Sequence, residues 1–283
     1  PIKTLKENGI EATTFIGARN SISVQLAIAR QPINAVTESF LASALEKKEK
    51  PTLFAINNDQ AKELTDNIRT LLKEEGMLSR QTKTLKVLST KGLTDAEKKH
   101  TKFYNVGDRI TFKAFTKEQK HYEVSEINKD GLVLTNQYGK QSQFKLENMS
   151  DFIVSRAKEI ELSIGDEVVN DRAIFKYRNK FEKGTSFKVR SISQDGVVLE
   201  SDKRAVLLDN EALANNYLSY NYCKKVHELT RDDKNILVAA LPHQLNENLM
   251  GEITEFAKNV TLFTNNKTKA ENFLNKEQLK WSA

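Results

Sequence analysis

Apolar and polar residues alternate along two stretches in the middle of the chain, and the two stretches resemble each other. Residues 122–134 read YEVSEINKDGLVL, and residues 187–199 read FKVRSISQDGVVL. Aligned without a gap, the two stretches are identical at six of their thirteen positions. Each has an alternating run, an Asp-Gly pair and a second apolar run, which is the pattern of a β-hairpin with a tight turn. We therefore expect two related hairpins, in which Gly131 and Gly196 supply the positive φ that such a turn demands.

A second matched pair of segments lies upstream of the two hairpins. Residues 106–110 read VGDRI and residues 164–168 read IGDEV, so that a Gly-Asp turn leads into a strand in both places. Asp-Gly turns are common, and chance similarity between two hairpins is the alternative explanation. Because the Gly-Asp element is repeated as well, the sequence between about 104 and 209 predicts two small antiparallel β modules in tandem.

The flanking sequence has a different pattern, in which short apolar runs alternate with helical stripes. Residues 21–29 alternate in a way that fits a strand as well as a helix. The remaining predicted strands are 12–16, 52–56, 85–88, 236–241 and 260–264. The predicted helices are 36–48, 245–257 and 268–281, together with one that is capped by Asn58 or Asp59 and closed by Gly76. Alternation of strands and helices is typical of a parallel sheet covered by helices.

The order of these patterns predicts an α/β domain that is interrupted by the two β modules. We expect the first part of the α/β domain at 1–103, the first module at 104–160, the second module at 161–209 and the second part of the α/β domain at 210–283. A Thr-x-x-Glu capping box, Thr94 to Glu97, leads into the first module.

Composition narrows the class of protein. The chain has 283 residues with 39% apolar and 29% charged residues, which is typical of a globular protein, and no stretch reaches the ~20 apolar residues of a membrane span. The N-terminal residues do not have the pattern of a secretory signal. The chain begins at Pro1 with no Met, so we expect a piece of a longer protein, and removal of an initiator Met before Pro is the alternative. The single cysteine, Cys223, excludes an intramolecular disulfide and favours a reducing compartment. The net charge of +6 is compatible with a polyanionic partner.

The motifs of common catalytic sites are missing. No GxxxxGK[ST], HExxH, GxSxG or CxxC occurs in the sequence, so we expect neither enzymatic activity nor a cofactor. The histidines at 100, 121, 227 and 243 lack the paired spacing of a zinc site. Asp232 and Asp233 are predicted to be solvated charges or helix caps, and Cys223 near His227 is predicted to be a buried thiol rather than a nucleophile with its base.

Basic and aromatic residues are interleaved in one loop of each module. Single-stranded nucleic acid is bound by cations that follow the phosphates and by aromatic faces on which bases stack. The candidate nucleic-acid-binding residues are Lys113, Phe115, Lys117 and Lys120 in the first module and Lys176, Tyr177, Arg178, Lys180 and Arg190 in the second. The alternative is a solvated charge run with Phe175 and Phe181 turned into the core, and the residues alone do not decide between the two.

The sequence resembles the vestigial helicase region of the TraI family, the relaxase/helicase proteins of F-like conjugative plasmids. The resemblance covers essentially the whole chain and is most specific in VLSTKGLTDAEKKHTKFYNVGDRI at 87–110, in the hairpin that follows it and in NVTLFTNNKTKAENF at 259–273. It implies an α/β fold with a RecA-like parallel-sheet domain (2A-like) that carries an inserted pair of small antiparallel β modules, SH3-like or barrel-like, known in the family as 2B and 2B-like.

The resemblance also implies a function. Relaxases of this kind nick the transfer origin, and their vestigial helicase region has lost ATPase activity, binds single-stranded DNA and resembles a translocation signal for type IV secretion. Val226 and Leu229 stand where active relatives have glycines, and Glu255 stands where an arginine senses ATP, which fits an inactive member.

The partners expected from the resemblance are single-stranded DNA, the type IV secretion coupling protein and the remainder of the relaxase chain, with no membrane insertion. The expected location is the bacterial cytoplasm, with export to the recipient cell during conjugation. The alternative function is a purely protein-docking module for the coupling protein that does not bind DNA.

Overall fold

The computed structural model describes residues 13–17, 22–45, 51–112, 121–129, 131–176, 179–202 and 204–281. The chain divides into two compact units. The α/β unit comprises Pro1–Ser79 and Tyr220–Ala283, and the β unit comprises Arg80–Ser219. The dividing points therefore differ from the expected boundaries at 103/104 and 209/210.

The described secondary structure is mixed. The strands in chain order are β1 (Thr13–Gly17), β2 (Ile22–Ile28), β3 (Thr52–Phe54), β4 (Thr82–Thr90), β5 (Arg109–Phe112), β6 (His121–Asn128), β7 (Gly131–Asn136), β8 (Gln141–Lys145), β9 (Phe152–Ser163), β10 (Glu167–Asn170), β11 (Ile174–Lys176), β12 (Asn179–Phe181), β13 (Ser186–Ile192), β14 (Gly196–Glu200), β15 (Ala205–Asp209), β16 (Leu218–Tyr220), β17 (Asn235–Ala239) and β18 (Asn259–Thr264). The α-helices are α1 (Pro32–Leu45), α2 (Asn58–Glu74), α3 (Asn210–Asn215), α4 (Glu247–Thr254) and α5 (Lys267–Trp281).

The α/β unit is built on a sheet with the strand order β1-β2-β18-β17-β3. Strands β2, β18, β17 and β3 run parallel to their neighbours, and β1 pairs antiparallel with β2 at one edge. Residues 22–28, which the pattern left open between strand and helix, are a strand. The predicted parallel sheet is thus present. β17 lies inside it, and its apolar run is unbroken because a strand covered on both faces buries successive residues.

Helices cover both faces of this sheet. On one face α1 and α2 bury Val36, Phe40, Leu64 and Ile68 against strand residues such as Phe263. On the other face α4 and α5 bury a second set of residues, which comprises Leu249, Met250, Ile253, Ala270 and Leu274, against alternate residues of the same strands. Successive strand residues therefore contribute to opposite cores, as the two-residue period of a strand requires.

Local sequence explains where α2 begins and ends. The N-cap is Asn57, one residue before the predicted Asn58 or Asp59, and its side chain accepts a hydrogen bond from the Gln60 backbone N–H at 2.9 Å. Gly76 follows the helix with φ 71, which confirms the predicted stop.

The β unit contains two antiparallel sheets and a hairpin. The six-stranded sheet has the order β4-β9-β5-β6-β7-β8, the five-stranded sheet has the order β15-β14-β13-β10-β16, and β11 pairs with β12. The prediction that residues 85–88 belong to the parallel sheet was wrong, because β4 pairs antiparallel with β9 along its whole length. This pairing places the division of the chain before Arg80.

The two β modules are repeats in structure as well as in sequence. In the first, the Gly107 N–H donates to the Val124 carbonyl and the Val124 N–H donates to the Asp108 carbonyl, both at 2.8 Å. In the second, Gly165, Val189 and Asp166 make the same two bonds at the same distances. A register irregularity also follows Val124 in β6 and Val189 in β13. The four strands β5 to β8 therefore correspond to β10, β13, β14 and β15.

The glycines of the two hairpins have a different role from the predicted one. Gly107 and Gly165 adopt positive φ, at 86 and 101, but Gly131 and Gly196 do not. A Cβ atom on Gly131 would lie 2.2 Å from the Phe144 carbonyl oxygen, and one on Gly196 would lie 2.2 Å from that of Leu208. Each of these glycines is required because the backbone of the fourth strand of its module, β8 or β15, passes too close for a side chain.

The predicted capping box at Thr94 is present. Glu97 accepts from the Thr94 backbone N–H at 2.9 Å, and the Glu97 N–H donates to the Thr94 hydroxyl at 3.2 Å. These bonds begin a short 3-10 turn (Glu97–Lys99) rather than an α-helix.

In the described part of the chain, no helix has the length and apolar character needed to cross a membrane.

Candidate nucleic-acid interface

The two basic and aromatic segments lie at matching places in the two modules. Residues 113–120 connect β5 to β6, and residues 171–185 connect β10 to β13, so each segment joins the first strand of its module to the second. Lys113, Phe115, Lys117, Lys120, Tyr177 and Arg178 lie outside the described residues, and only the backbone of Lys176 is described. The two predicted sets of binding residues are therefore related only by their positions in segments that join equivalent strands.

The segment of the second module contains the hairpin of β11 and β12. Its register pairs Ile174 with Phe181 and Lys176 with Asn179. Ile174 and Phe181 are buried, and the Phe181 ring lies 5.2 Å from the Phe187 ring. Phe181 is therefore a core residue, as the alternative interpretation of this segment expected. Burial of Ile174 and Phe181 holds the two strands of this hairpin against the core.

The base of this hairpin is fixed by Asn170. Its side-chain amide donates to the carbonyls of Arg172 and Glu182, both at 2.8 Å, and lies 3.4 Å from that of Phe181. The Gly184 N–H donates to the Asn170 carbonyl at 2.8 Å. Asn170 is completely buried, so these bonds form away from water and contribute to the order of the hairpin.

Lys180 and Arg190 are the predicted site residues whose side chains are described, and both are exposed. Lys180 Nζ lies 2.7 Å from Glu182 Oε1, and Arg190 Nη1 lies 3.0 Å from Glu200 Oε1. The side chain of Lys180 is 50% exposed and that of Arg190 is 62% exposed. Ion pairs as exposed as these contribute about 0–1 kcal/mol, so both cations can exchange a carboxylate for a phosphate at little cost.

Three further cationic residues border the two segments, and sequence reasoning missed them. They are Arg109 in β5, His121 at the start of β6 and Arg172 just before β11. Burial first, and then the charges of Arg109 and Arg172, lower the pKa of His121. No sequence spacing relates the three residues, and only the adjacency of His121 to the basic segment 113–120 could have drawn attention to it.

Asp233 is buried, which corrects the prediction of a solvated charge or helix cap. Lys224 Nζ lies 2.8 and 3.0 Å from its two oxygens, and Thr52 Oγ1 donates to it at 2.5 Å. The Thr230 N–H also donates to it at 2.6 Å. Burial alone would raise the pKa of Asp233, but the hydrogen bonds from Lys224, Thr52 and Thr230 outweigh it and lower the pKa. These contacts tie β3 to the segment before β17, which is a structural role.

Cys223 has the environment of an unreactive thiol. Its Sγ lies 3.6 Å from the Ala61 carbonyl oxygen and 3.9 Å from Thr65 Oγ1. Burial raises the pKa of Cys223 to about 11. His227 pairs instead with Glu228 at 3.7 Å. Cys223 is half-buried rather than fully buried, so the predicted buried thiol is confirmed in part. Within the described ranges, no group of three His, Cys, Asp or Glu side chains is placed to hold a metal ion.

Comparisons with known proteins give similarity to solved structures only. No protein-family model and no curated protein matches the chain. An unliganded Pif1 from Bacteroides sp is 6% identical over 75% of this chain and 51% of its own, with a TM-score of 0.30. A structure of two coordinating Pif1 helicases at forked dsDNA is 9% identical over 90% of this chain and 53% of its own, with a TM-score of 0.34. The chain thus spans about half the length of these helicases, and similarity this low establishes neither family nor activity.

Proposed function

We propose that this chain is a non-catalytic, helicase-like segment of a conjugative relaxase and that it binds single-stranded DNA. The observation that supports DNA binding best is the structural repeat. Two modules with the same strand order and the same Gly-Asp bonds carry a basic and aromatic segment at the same place, between their first and second strands. Two copies of one binding element can contact successive stretches of the same strand.

The chemistry of the two segments suits an unpaired strand. Lysine and arginine attract the phosphates, and an aromatic face contributes roughly 1–3 kcal/mol for each base that stacks on it, whatever the base. Phe115 and Tyr177 are the aromatic residues proposed for stacking, and the lysines and arginines around them are proposed for the phosphates. Binding of this kind is insensitive to sequence, which fits a segment that must hold whatever strand is transferred.

The finer parts of the proposal come from the TraI resemblance. They are a RecA-like origin of the α/β unit, loss of ATPase activity, and service as a translocation signal read by a type IV secretion coupling protein. The missing phosphate-binding motif supports the non-catalytic part.

Fluorescence anisotropy with labelled oligonucleotides tests DNA binding directly. We expect single strands to bind more tightly than duplex of the same length, with log K falling linearly against log salt by about 0.7 per phosphate contact. Equal affinity for the two forms, or no dependence on salt, would contradict the proposal. In parallel, ATP turnover should be absent with and without oligonucleotide, and measurable turnover would contradict the non-catalytic assignment.

Charge reversal tests the site. The triple variant Lys176→Glu, Arg178→Glu and Lys180→Glu should lose at least tenfold in affinity, because three phosphate contacts become repulsive. The matched control reverses Lys62, Lys269 and Lys276, which are exposed on helices of the α/β unit, and changes the net charge equally. Equal loss in both variants would mean that only overall charge matters.

Protein docking without DNA binding is the second candidate, and one observation favours it. Val106 and Ile164 occupy equivalent positions before the two Gly-Asp turns and are 66% and 41% exposed. Exposed β-branched residues repeated in this way could contact a partner. If the coupling protein is the partner, Val106→Ser with Ile164→Ser should abolish its capture and plasmid transfer while leaving oligonucleotide affinity unchanged. The triple charge variant should then retain transfer.

A further inference from the structure

Arg109, His121 and Arg172 are brought together at the bases of the two basic segments. Register pairs Thr111 with His121 across β5 and β6, and Arg109 shares the face of Thr111 because side chains two residues apart in a strand point the same way. The Thr111 hydroxyl lies 3.0 Å from His121 Nδ1. Arg109 and His121 therefore lie on one face of the first module, beside the segment 113–120.

Arg172 is brought to this face by Tyr217. Its guanidinium lies 5.0 Å from the centre of the Tyr217 ring. The Tyr217 hydroxyl lies 2.7 Å from Ser155 Oγ, and Ser155 is paired in register with Arg109 across β9 and β5. The second module thus contributes an arginine to a cluster that the first module begins. Burial is the main reason that the pKa of His121 is lowered, and the further lowering by the charges of both arginines agrees with this arrangement.

The basic side chains of this cluster have neutral partners among the described residues. Arg109 Nη1 donates to Asn215 Oδ1 at 2.5 Å, Arg172 lies over an aromatic ring, and His121 contacts a hydroxyl. Glu123 is paired in register with Arg109, but the two form no ion pair in the described part of the chain. Arginine has five N–H donors in a planar fork that matches the oxygens of a phosphate, so most of its donors remain for a ligand.

We propose that Arg109, His121 and Arg172 form a binding site for one phosphodiester group of a single-stranded nucleic acid. His121 directly follows the segment 113–120, and Arg172 lies at the beginning of the segment 171–185. A nucleic-acid strand bound by both segments would therefore place a phosphate beside this cluster. This inference rests on the proposed function and names a fixed contact within it. The guanidinium groups of Arg109 and Arg172 supply planar forks of N–H donors. The imidazole of His121 adds a third donor group, which binds a phosphate most strongly when the ring is protonated.

Titration of His121 by NMR tests the site in the intact chain. The C2 proton of each of the four histidines is followed against pH, and His121→Gln identifies the His121 signal. A short thymidine oligonucleotide should raise the pKa of His121 by on the order of one unit, because a bound anion stabilises the imidazolium. His100, His227 and His243 serve as internal references and should move by much less.

Two variants measure the contribution of the arginines to affinity. Arg109→Gln and Arg172→Gln should each weaken oligonucleotide binding several-fold, lower the salt slope by about 0.7, and abolish the oligonucleotide-induced change at His121. The control, Lys129→Gln, also removes one positive charge. Lys129 follows the last residue of β6 and lies roughly 25 Å from His121 at the usual rise of a strand. Its substitution should therefore change none of these three quantities.

The outcomes separate this inference from the proposed function. If the oligonucleotide binds in the anisotropy assay and the His121 pKa does not change, the phosphate site is wrong and the proposed function stands. If the oligonucleotide does not bind but inorganic phosphate raises the His121 pKa, the cluster is a site for a free phosphate and the assignment to DNA is wrong. Equal changes at all four histidines would show non-specific binding and overturn the site.

Discussion

Lys91 Nζ lies 2.7 Å from Asp108 Oδ2, although Asp108 is only 1% exposed. Arg156 Nε lies 3.3 Å from the other oxygen, and the Asn105 N–H donates to Asp108 at 2.8 Å. Lys91 also donates to the Phe103 carbonyl at 2.6 Å. One carboxylate therefore holds the Gly-Asp turn of the first module to the end of β4 and to β9.

Asp108→Asn should destabilise the β unit by about 3 kcal/mol, because removing one partner of a buried ion pair leaves the other charge uncompensated. Urea denaturation followed by circular dichroism measures the change. Asp202→Asn, at an exposed turn of the second module, removes the same charge and should change stability by less than about 0.5 kcal/mol. Equal effects of the two substitutions would show that the contacts of Asp108 contribute little.

Gly131→Ala and Gly196→Ala should each cost roughly 1–3 kcal/mol, because the new Cβ would meet a backbone carbonyl oxygen that cannot move aside. Thermal unfolding of the purified variants measures the cost. Gly251→Ala is the control, since nothing lies within 4 Å of its added Cβ in the exposed part of α4. Alanine there should stabilise the protein by about 0.5–1 kcal/mol. A neutral Gly131→Ala would show that the neighbouring strand can shift.

Asp233 should make the α/β unit sensitive to acid. Because its folded pKa lies below the ordinary value of 3.8, its contribution is fully present above about pH 5 and is lost as the pH falls through the folded value. Asp233→Asn should cost on the order of 2 kcal/mol at pH 7 and progressively less at lower pH. Urea midpoints of both proteins between pH 7 and pH 3 test this. A constant difference across that range would show that the carboxylate does not titrate with folding.

Cys223 should react slowly with thiol reagents in the folded protein. A pKa of about 11, against an ordinary value of 9.0, leaves about a hundredfold less thiolate at neutral pH. Reaction with a disulfide reagent, compared between native and urea-unfolded protein, measures the ratio. His227→Ala should leave the native rate unchanged because His227 pairs with Glu228. A slower reaction of this variant would show that His227 activates the thiol.

Asn170→Ala should loosen the hairpin of β11 and β12, because the carbonyls of Arg172 and Glu182 lose the buried donor that joins them. We expect a cost of about 2 kcal/mol, faster hydrogen exchange of the hairpin amides and weaker oligonucleotide binding. Asn259→Ala removes an exposed side-chain hydrogen bond to Asn235 and is the control. Unchanged exchange in Asn170→Ala would mean that strand pairing alone orders the hairpin.

Features encoded in short stretches of sequence were predictable. Alternation and Asp-Gly pairs identified both hairpins, and the spacing of apolar residues identified α2 and α5. The matching Gly-Asp segments identified the repeat, because equivalent turns need the same residues. Alternation of strands and helices predicted a parallel sheet, and the unbroken apolar run at 236–241 predicted a strand inside it.

Features that depend on distant parts of the chain were not predictable. The partner of β4 is β9, and the apolar pattern of a strand does not specify which edge it joins. Gly131 was assigned to a turn, although it is the close backbone of β8 that requires a glycine there. Asp233 was predicted to be solvated because its partners Lys224 and Thr52 meet only in the folded α/β unit.

By itself, the sequence determined the repeat, the alternating classes of element and the two basic segments, since each depends on residues close together along the chain. The tertiary structure alone decided where the β unit begins, which buried carboxylates are paired and that Arg109, His121 and Arg172 come together. The physical reason is that strand pairing and charge interactions act through space, so residues far apart in sequence become neighbours only when the sheets form.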